Sequence, residues 1–427
     1  MRRALDPVTF TPFFKRRRGI VFCEGVSLEK IAEKVGTPAY VYSRAALEGA
    51  YLGLDRALTN ALGSTPHTIC YAVKANSNLT ILRILARMGS SFDIVSGGEL
   101  ERLRRVGVDP KRVVFSGVGK SREEIVEGLR AGILLFNVES PAELEILLSE
   151  ASRMGRRAAA SIRVNPDVAA GAHPHIATGR KHHKFGVDWE QARKLYLTHR
   201  KSKWIDWQGI GSHVGSQVLS LTPYRQALDK LASYVRDLDA HGVRLRYLDM
   251  GGGLGVRYTT ERPPIFAAYA RTLASQTRGL GCHLLIEPGR SIVAQAGVLL
   301  MCVLYKKKTG GKIFVVTDAA MNDFIRPALY GAIHPITAVA EDHHGKKMRN
   351  VAIVGPVCET GDVFLDSWPL GEVVPGDVLA LWGAGAYGST MTSNYNSRPR
   401  PVEVLVDGKR VRVIRKRESV GDIMRGE

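Results

Sequence analysis

The sequence predicts an α/β fold: a TIM-type (β/α)8 barrel joined to a C-terminal β domain of sandwich or barrel-like form. Two observations carry this. Eight short segments rich in β-branched residues, at 69–74, 91–95, 112–116, 133–138, 159–164, 208–214, 245–250 and 283–287, end in polar or glycine-rich residues and lead into the next stretch. Eight strand–helix units over roughly 250 residues suit a closed barrel. Periodicity alone also fits an open doubly wound sheet, so the strand count decides. From about residue 296 the pattern changes to strands joined by turns, at 298–305, 312–317, 351–357, 378–382, 402–406 and 410–415.

Between the barrel strands, residues 78–88, 98–106, 122–131, 141–154, 189–200, 223–241 and 264–278 have helical composition and spacing. Residues 39–43 form a further strand ahead of the first barrel helix, and its place is with the β domain. The expected organisation is therefore an N-terminal segment 1–43 lending a strand to the β domain, a barrel over 44–295, and the β domain over 296–427. No internal repeat or low-complexity linker interrupts it.

Composition excludes several classes. The 427 residues are 45% hydrophobic and 24% charged, which is ordinary globular usage. The formal charge is +19, but the basic residues lie in short knots such as Lys15-Arg16-Arg17-Arg18 and Lys306-Lys307-Lys308. No zinc-finger or aromatic-glycine signature accompanies them, so the excess reads as solvated surface with some affinity for acidic ligands, and nucleic acid is not an expected partner. Cys23, Cys70, Cys282, Cys302 and Cys358 are odd in number and lack paired spacing, which favours a reducing, cytoplasmic setting. No apolar run approaches the ~20 residues of a membrane span, and no signal core follows Arg2-Arg3.

In such barrels the C-terminal ends of the strands line the active site. Lys74 closes the first strand, where a desolvated amine can form a Schiff base, although position alone favours a snorkelling strand-end lysine. His213 ends the sixth strand, as a ligand-facing or a satisfied core histidine. Gly251-Gly252-Gly253-Leu254-Gly255 follows the seventh, where barrels commonly bind phosphate and where tight βα turns also want glycine. Glu287, after Leu284-Leu285-Ile286, is costly to bury unless paired, either with a protonated ring nitrogen or with Arg290. Lysine, phosphate loop and carboxylate together describe one cofactor, pyridoxal 5′-phosphate.

The ordered blocks Tyr71-Ala72-Val73-Lys74-Ala75-Asn76, Ser96-Gly97-Gly98-Glu99, Ser212-His213-Val214-Gly215-Ser216-Gln217, Asp249-Met250-Gly251-Gly252-Gly253 and Glu287-Pro288-Gly289-Arg290 carry a resemblance. So do Arg326-Pro327-Ala328-Leu329-Tyr330, Gly355-Pro356-Val357-Cys358-Glu359-Thr360-Gly361-Asp362 and Gly385-Ala386-Tyr387-Gly388. With them the chain resembles the barrel-type (fold type III) pyridoxal-phosphate decarboxylases, in their diaminopimelate-decarboxylating branch, over nearly its whole length. The resemblance implies a lyase of lysine biosynthesis that converts meso-2,6-diaminopimelate to L-lysine and CO2. It implies that Lys74 holds the cofactor, His213 stacks on it, and Gly253 with the Glu287-Pro288-Gly289-Arg290 backbone binds its phosphate. Glu287 would contact the ring nitrogen. Arg290, Arg326, Tyr330, Glu359 and Tyr387 would surround the substrate, with Tyr387 also touching the cofactor. Cys358 would donate the proton, and Cys358 and Glu359 would come from the second subunit of a homodimer.

The residue types suit those roles. A carboxylate at Glu287 keeps the ring an electron sink, whereas barrel racemases place arginine there. Paired arginines suit a distal carboxylate, and a carboxylate suits a distal ammonium. A related decarboxylase acting on another basic amino acid is the nearest rival, and a basic nucleic-acid-binding protein with an inactive barrel the remotest. His182-His183 and His343-His344 show no third ligand, so no metal site is expected. The 13–18 knot matches no recognised motif.

Overall fold

A computed structural model describes residues 6–168, 184–341 and 348–427. The His182-His183 and His343-His344 pairs lie outside the described residues. The chain divides into two compact units, Tyr51–Gly255 with Arg262–Ser291, and Met1–Ala50 with Val256–Glu261 and Ile292–Glu427.

In the first unit, eight parallel strands close into a barrel in chain order: His67–Ala72, Ser91–Ile94, Val113–Phe115, Leu135–Val138, Ala158–Arg163, Ile205–Gly211, Tyr247–Asp249 and His283–Ile286. Closure comes from the eighth strand pairing with the first, Leu284 opposite His67 through Ile286 opposite Ile69. One apolar cluster takes Cys70, Val114, Leu135, Tyr247 and Leu285 from five different strands. Full burial of a side chain of this kind contributes about 1.5–3 kcal/mol.

Several βα turns hand over to helices through side-chain caps. Asn78 accepts from Thr80 N at 2.9 Å, Asp188 accepts from Gln191 N at 2.8 Å, and Ser121 forms a reciprocal capping box with Glu124. Each such cap is worth about 1 kcal/mol. The helices Thr222–Ala240 and Phe266–Thr277 start without one.

The second unit is mainly sheet. Strand Gly297–Thr309 serves two sheets: Gly297–Cys302 pairs with Ala39–Ser43 and Val378–Trp382, and Val303–Thr309 pairs with Lys312–Thr317 after a bulge. The strand Ala39–Ser43 runs antiparallel to Gly297–Thr309 and parallel to Val402–Asp407, and all five of its residues are buried. Ile336–Ala338 and Val363–Leu370 are strands that the sequence pattern did not reveal.

The uninterpreted basic knot turns out to be a strand, Phe14–Arg17, in a small sheet with Ile20–Cys23 and Val26–Ser27. Phe14 packs edge-on against Trp382 at 5.4 Å between ring centroids. The Arg16 guanidinium donates to the carbonyls of Gly19, Ala338 and Val339. Its charge thus satisfies backbone acceptors within the unit. No helix among the described residues is long and apolar enough to cross a membrane.

Candidate active site

In the barrel unit, the strand ends bring five predicted residues, Lys74, His213, Gly253, Glu287 and Arg290, to one rim. The first strand stops at Ala72, and Lys74 lies in the following 3-10 turn, Val73–Ala75, rather than in the strand itself. Its side chain is 39% exposed, so desolvation is not what distinguishes it. What faces it is Asp93, fully buried near the end of the second strand, with Oδ2 at 2.6 Å from Lys74 Nζ.

His213 follows the sixth strand by two residues. Its Nδ1 accepts from Gly252 N–H at 3.1 Å, which leaves the other ring nitrogen to carry the proton of a neutral imidazole. Desolvation pushes its pKa well below the ordinary histidine range, and the charges of Arg163 and Lys74 push the same way. The glycine turn is crowded by backbone. A Cβ on Gly252 would sit 2.1 Å from Glu287 O, and one on Gly253 would sit 2.1 Å from Gly215 O. Gly253 also has φ +96°, so this turn needs glycine for both space and conformation.

Glu287 stands directly after the eighth strand. It makes no salt bridge with Arg290, the alternative that the sequence left open. Ser116 Oγ donates to Glu287 Oε1 at 3.3 Å, and Asn137 Nδ2 lies 3.5 Å from the same oxygen. Burial drives the Glu287 carboxyl well above the usual carboxylate range, and the charges of Asp249 and Asp93 add to it while Lys74 opposes. Arg290 is 4% exposed and donates to Ser216 Oγ at 3.0 Å. Pro288 O accepts from Ala72 N at 3.1 Å, locking the Pro288-Gly289 turn to the Lys74 segment.

His213 and Glu287 line a small cleft together with Ser116, Asn137, Arg163 and Asp249, among others. Asp93, Asn137 and Arg163 escaped the sequence reading, and Asp249 entered it only within the Asp249–Gly253 block, with no role of its own. Their only sequence signal is a polar residue within an otherwise apolar strand.

In the second unit, Arg326, Tyr330 and Tyr387 gather together. Arg326 opens the short helix Arg326–Tyr330, and its guanidinium lies 5.5 Å from the Tyr330 ring centroid and 6.0 Å from that of Tyr387. Tyr387 has φ +54°, within the Gly385–Gly388 turn. His334 was not anticipated: its Nε2 accepts from Arg326 Nε at 3.2 Å. Cys358 and Glu359 share an exposed loop of the same unit. Asn396 Oδ1 accepts from Cys358 N at 3.3 Å, and Tyr395 OH donates to Glu359 Oε2 at 3.2 Å. Asp362 braces the loop by accepting from Val357 N at 2.8 Å and Met321 N at 2.7 Å.

The barrel rim fits pyridoxal 5′-phosphate. It offers a primary amine for the aldehyde, a glycine turn with no room for side chains near the phosphate, and an acid for the ring nitrogen. Asp93 Oδ1 is buried with no hydrogen-bond partner among the described residues, an acceptor left over on this polar floor.

Comparison with known proteins agrees. Residues 54–294 match the pyridoxal binding domain of the pyridoxal-dependent decarboxylases. A diaminopimelate decarboxylase of Pseudomonas aeruginosa is 48% identical over 414 residues, covering 97% of this chain and 98% of that protein. The crystal structure of diaminopimelate decarboxylase from Helicobacter pylori complexed with L-lysine is 42% identical, with a TM-score of 0.89 over 93% of this chain and 98% of that one. The enzyme from M. jannaschii in co-complex with L-lysine is 36% identical, with a TM-score of 0.93 over 97% and 98%. With its eight-stranded barrel and separate sheet domain, the chain belongs to the diaminopimelate decarboxylase family of pyridoxal-dependent decarboxylases.

Proposed function

We propose that this chain decarboxylates meso-2,6-diaminopimelate to L-lysine and CO2, the last step of lysine synthesis from diaminopimelate, as a cytoplasmic homodimer with composite active sites. The observation that carries the reading is Glu287, an acid at the end of the eighth strand on the rim that presents Lys74. When bound, pyridoxal 5′-phosphate supplies an electron sink for the pair left behind as CO2 departs. A carboxyl at position 287 preserves that sink, and an arginine there would weaken it. The L-lysine held by the H. pylori and M. jannaschii relatives is the product this reading requires.

The chain's own residues divide the remaining work. Lys74 provides the amine that retains the cofactor. His213, neutral and held by the Gly252 N–H, offers a flat face without charge. The Gly253 and Glu287–Arg290 backbone provides N–H donors for phosphate. Arg290, Arg326, Tyr330 and Tyr387 take substrate carboxylate, and Glu359 takes the distal ammonium. Cys358 delivers the proton that replaces the departing carboxyl group. In the composite arrangement, Cys358 and Glu359 act on the Lys74 site of the second subunit.

Purified protein assayed on diaminopimelate, lysine, ornithine and arginine tests this reading. Release of CO2 with L-lysine from diaminopimelate is expected. Preferential turnover of ornithine or arginine would overturn it, because those substrates lack the amino acid group that Glu359 and the arginines clamp.

A further inference from the structure

The rim holds a second carboxyl that the proposed reaction does not use. Asp249 ends the seventh strand and is 2% exposed. Its Oδ1 accepts from Gly251 N at 2.9 Å and its Oδ2 from Asn137 Nδ2 at 3.1 Å. The same Asn137 nitrogen donates to Ser116 Oγ at 3.1 Å and lies 3.5 Å from Glu287 Oε1, to which Ser116 Oγ donates at 3.3 Å. Its orientation is fixed, because Asn137 Oδ1 accepts from Ser161 Oγ. One amide therefore links two buried carboxyls, directly to Asp249 and chiefly through Ser116 to Glu287, and the charge of Asp249 opposes ionisation of Glu287.

Two carboxyls in such contact cannot both be ionised at neutral pH at acceptable cost. The donors say which one is charged. Asp249 has a backbone N–H and the nearer amide contact, and Glu287 has only a long serine contact and the far side of that amide. The proton therefore sits on Glu287.

We propose that Asp249 is a positioning residue for the cofactor: as a buried anion behind Glu287 it keeps one proton at the face that meets the ring nitrogen. That proton is then shared between Glu287 and the ring nitrogen, and its loss would set two adjacent anions against each other. The other charged or titratable groups around the pair are Cys70 within and Lys74 after the first strand, Asp93 on the second, Arg163 on the fifth, His213 after the sixth and Tyr269 on the helix Phe266–Thr277. Lys74 and Arg163 favour losing the proton; Asp93 and Asp249 favour keeping it. Of these two anions, Asp249 is the one linked to Glu287 through the Asn137 amide.

The inference rests on the barrel rim being a pyridoxal-phosphate site, and its test does not depend on turnover. The infrared difference between cofactor-free, full-length wild type and Glu287→Gln should show the carbonyl band of a protonated carboxylic acid at neutral pH, because the other raised carboxyls, Glu99 and Asp323, cancel in it. Asp249→Asn, nearly isosteric, should lower the band's titration midpoint by about one pH unit, a roughly tenfold loss of proton affinity. In the same variant, affinity for pyridoxal 5′-phosphate should fall about tenfold more than in wild type from neutral to alkaline pH. If Asp249→Asn does not fold by circular dichroism, Asn137→Leu decides: loss of the amide that stabilises the anion should raise the midpoint.

No acid band in wild type, or an unchanged midpoint in a folded variant, would overturn the proposal and leave Asp249 a structural residue. Diaminopimelate turnover without the band would retire this inference alone. The band without diaminopimelate turnover would retire the assigned reaction alone.

Discussion

Arg326 Nε donates to His334 Nε2 at 3.2 Å, and the opposite nitrogen, Nδ1, of the same buried ring donates to the Trp382 carbonyl at 2.9 Å. The tautomer follows from these partners: the proton is on Nδ1, and the free lone pair faces the guanidinium. Phe324 and Tyr258 pack edge-on against the ring, each with centroids 4.6 Å away. A neutral, immobile histidine thus aims the arginine without neutralising it. His334→Leu should raise KM for diaminopimelate about tenfold, equivalent to about 1.4 kcal/mol, with kcat changed by less than about threefold. Steady-state kinetics check this, and an unchanged KM would show that Arg326 needs no such support.

Lys74→Ala should remove covalent retention of the cofactor and lower turnover by roughly a thousandfold or more. Borohydride treatment followed by intact-mass measurement reads the first effect, and CO2 release reads the second. A variant that kept both its bound cofactor and its rate would mean that another lysine does this work.

The composite-site proposal makes a counting prediction. Homodimers of Lys74→Ala and of Cys358→Ala should each be inactive, yet mixing them should restore activity. Random exchange makes about half the dimers mixed, each with one intact site of two, so recovery should approach roughly a quarter of wild type. Confirmed subunit exchange without recovery would require both residues to come from one chain.

Burial raises the Glu99 carboxyl to about 7, against the pull of the Val95 N–H, which donates to it at 2.8 Å, and of Lys74. The folded state therefore holds a proton that the unfolded chain releases near pH ~4.3. Stability falls as pH rises from that value towards the folded one, and the full cost, up to about 3 kcal/mol, is present above it. Glu99→Gln keeps an acceptor for Val95 and removes the titration. The melting temperature of the cofactor-free variant relative to wild type should accordingly climb between mildly acidic and neutral pH. A difference that stays flat with pH would rule out Glu99 as the group responsible.

Much of the barrel was legible along the chain because its information is local. Each strand is an apolar run, most βα turns end in a capping residue, and chain order is also the order around the ring. Rim residues such as Lys74, Gly253 and Glu287 could be found because strand ends in a barrel point to one face. The strand Ala39–Ser43 was equally visible as a strand, and its assignment to the sheet domain followed from its isolation.

Pairing and partners were decided only by tertiary structure. Nothing local says that Ala39–Ser43 joins Gly297–Thr309 and Val402–Asp407, because strand pairing depends on residues hundreds of positions away. Val363–Leu370 ends in Pro369-Leu370 and exposes Asp366 and Ser367 side by side, so it lacks the alternation that marks a strand. The acids and amides beneath the rim were hidden for the same reason. Asn137 meets Asp249 across 112 positions and Glu287 across 150, and Arg16 reaches Ala338 across 322. A lone polar residue in a strand carries no sign of its partner until the barrel closes, because burial, and with it the cost of an unpaired charge, exists only in the folded chain.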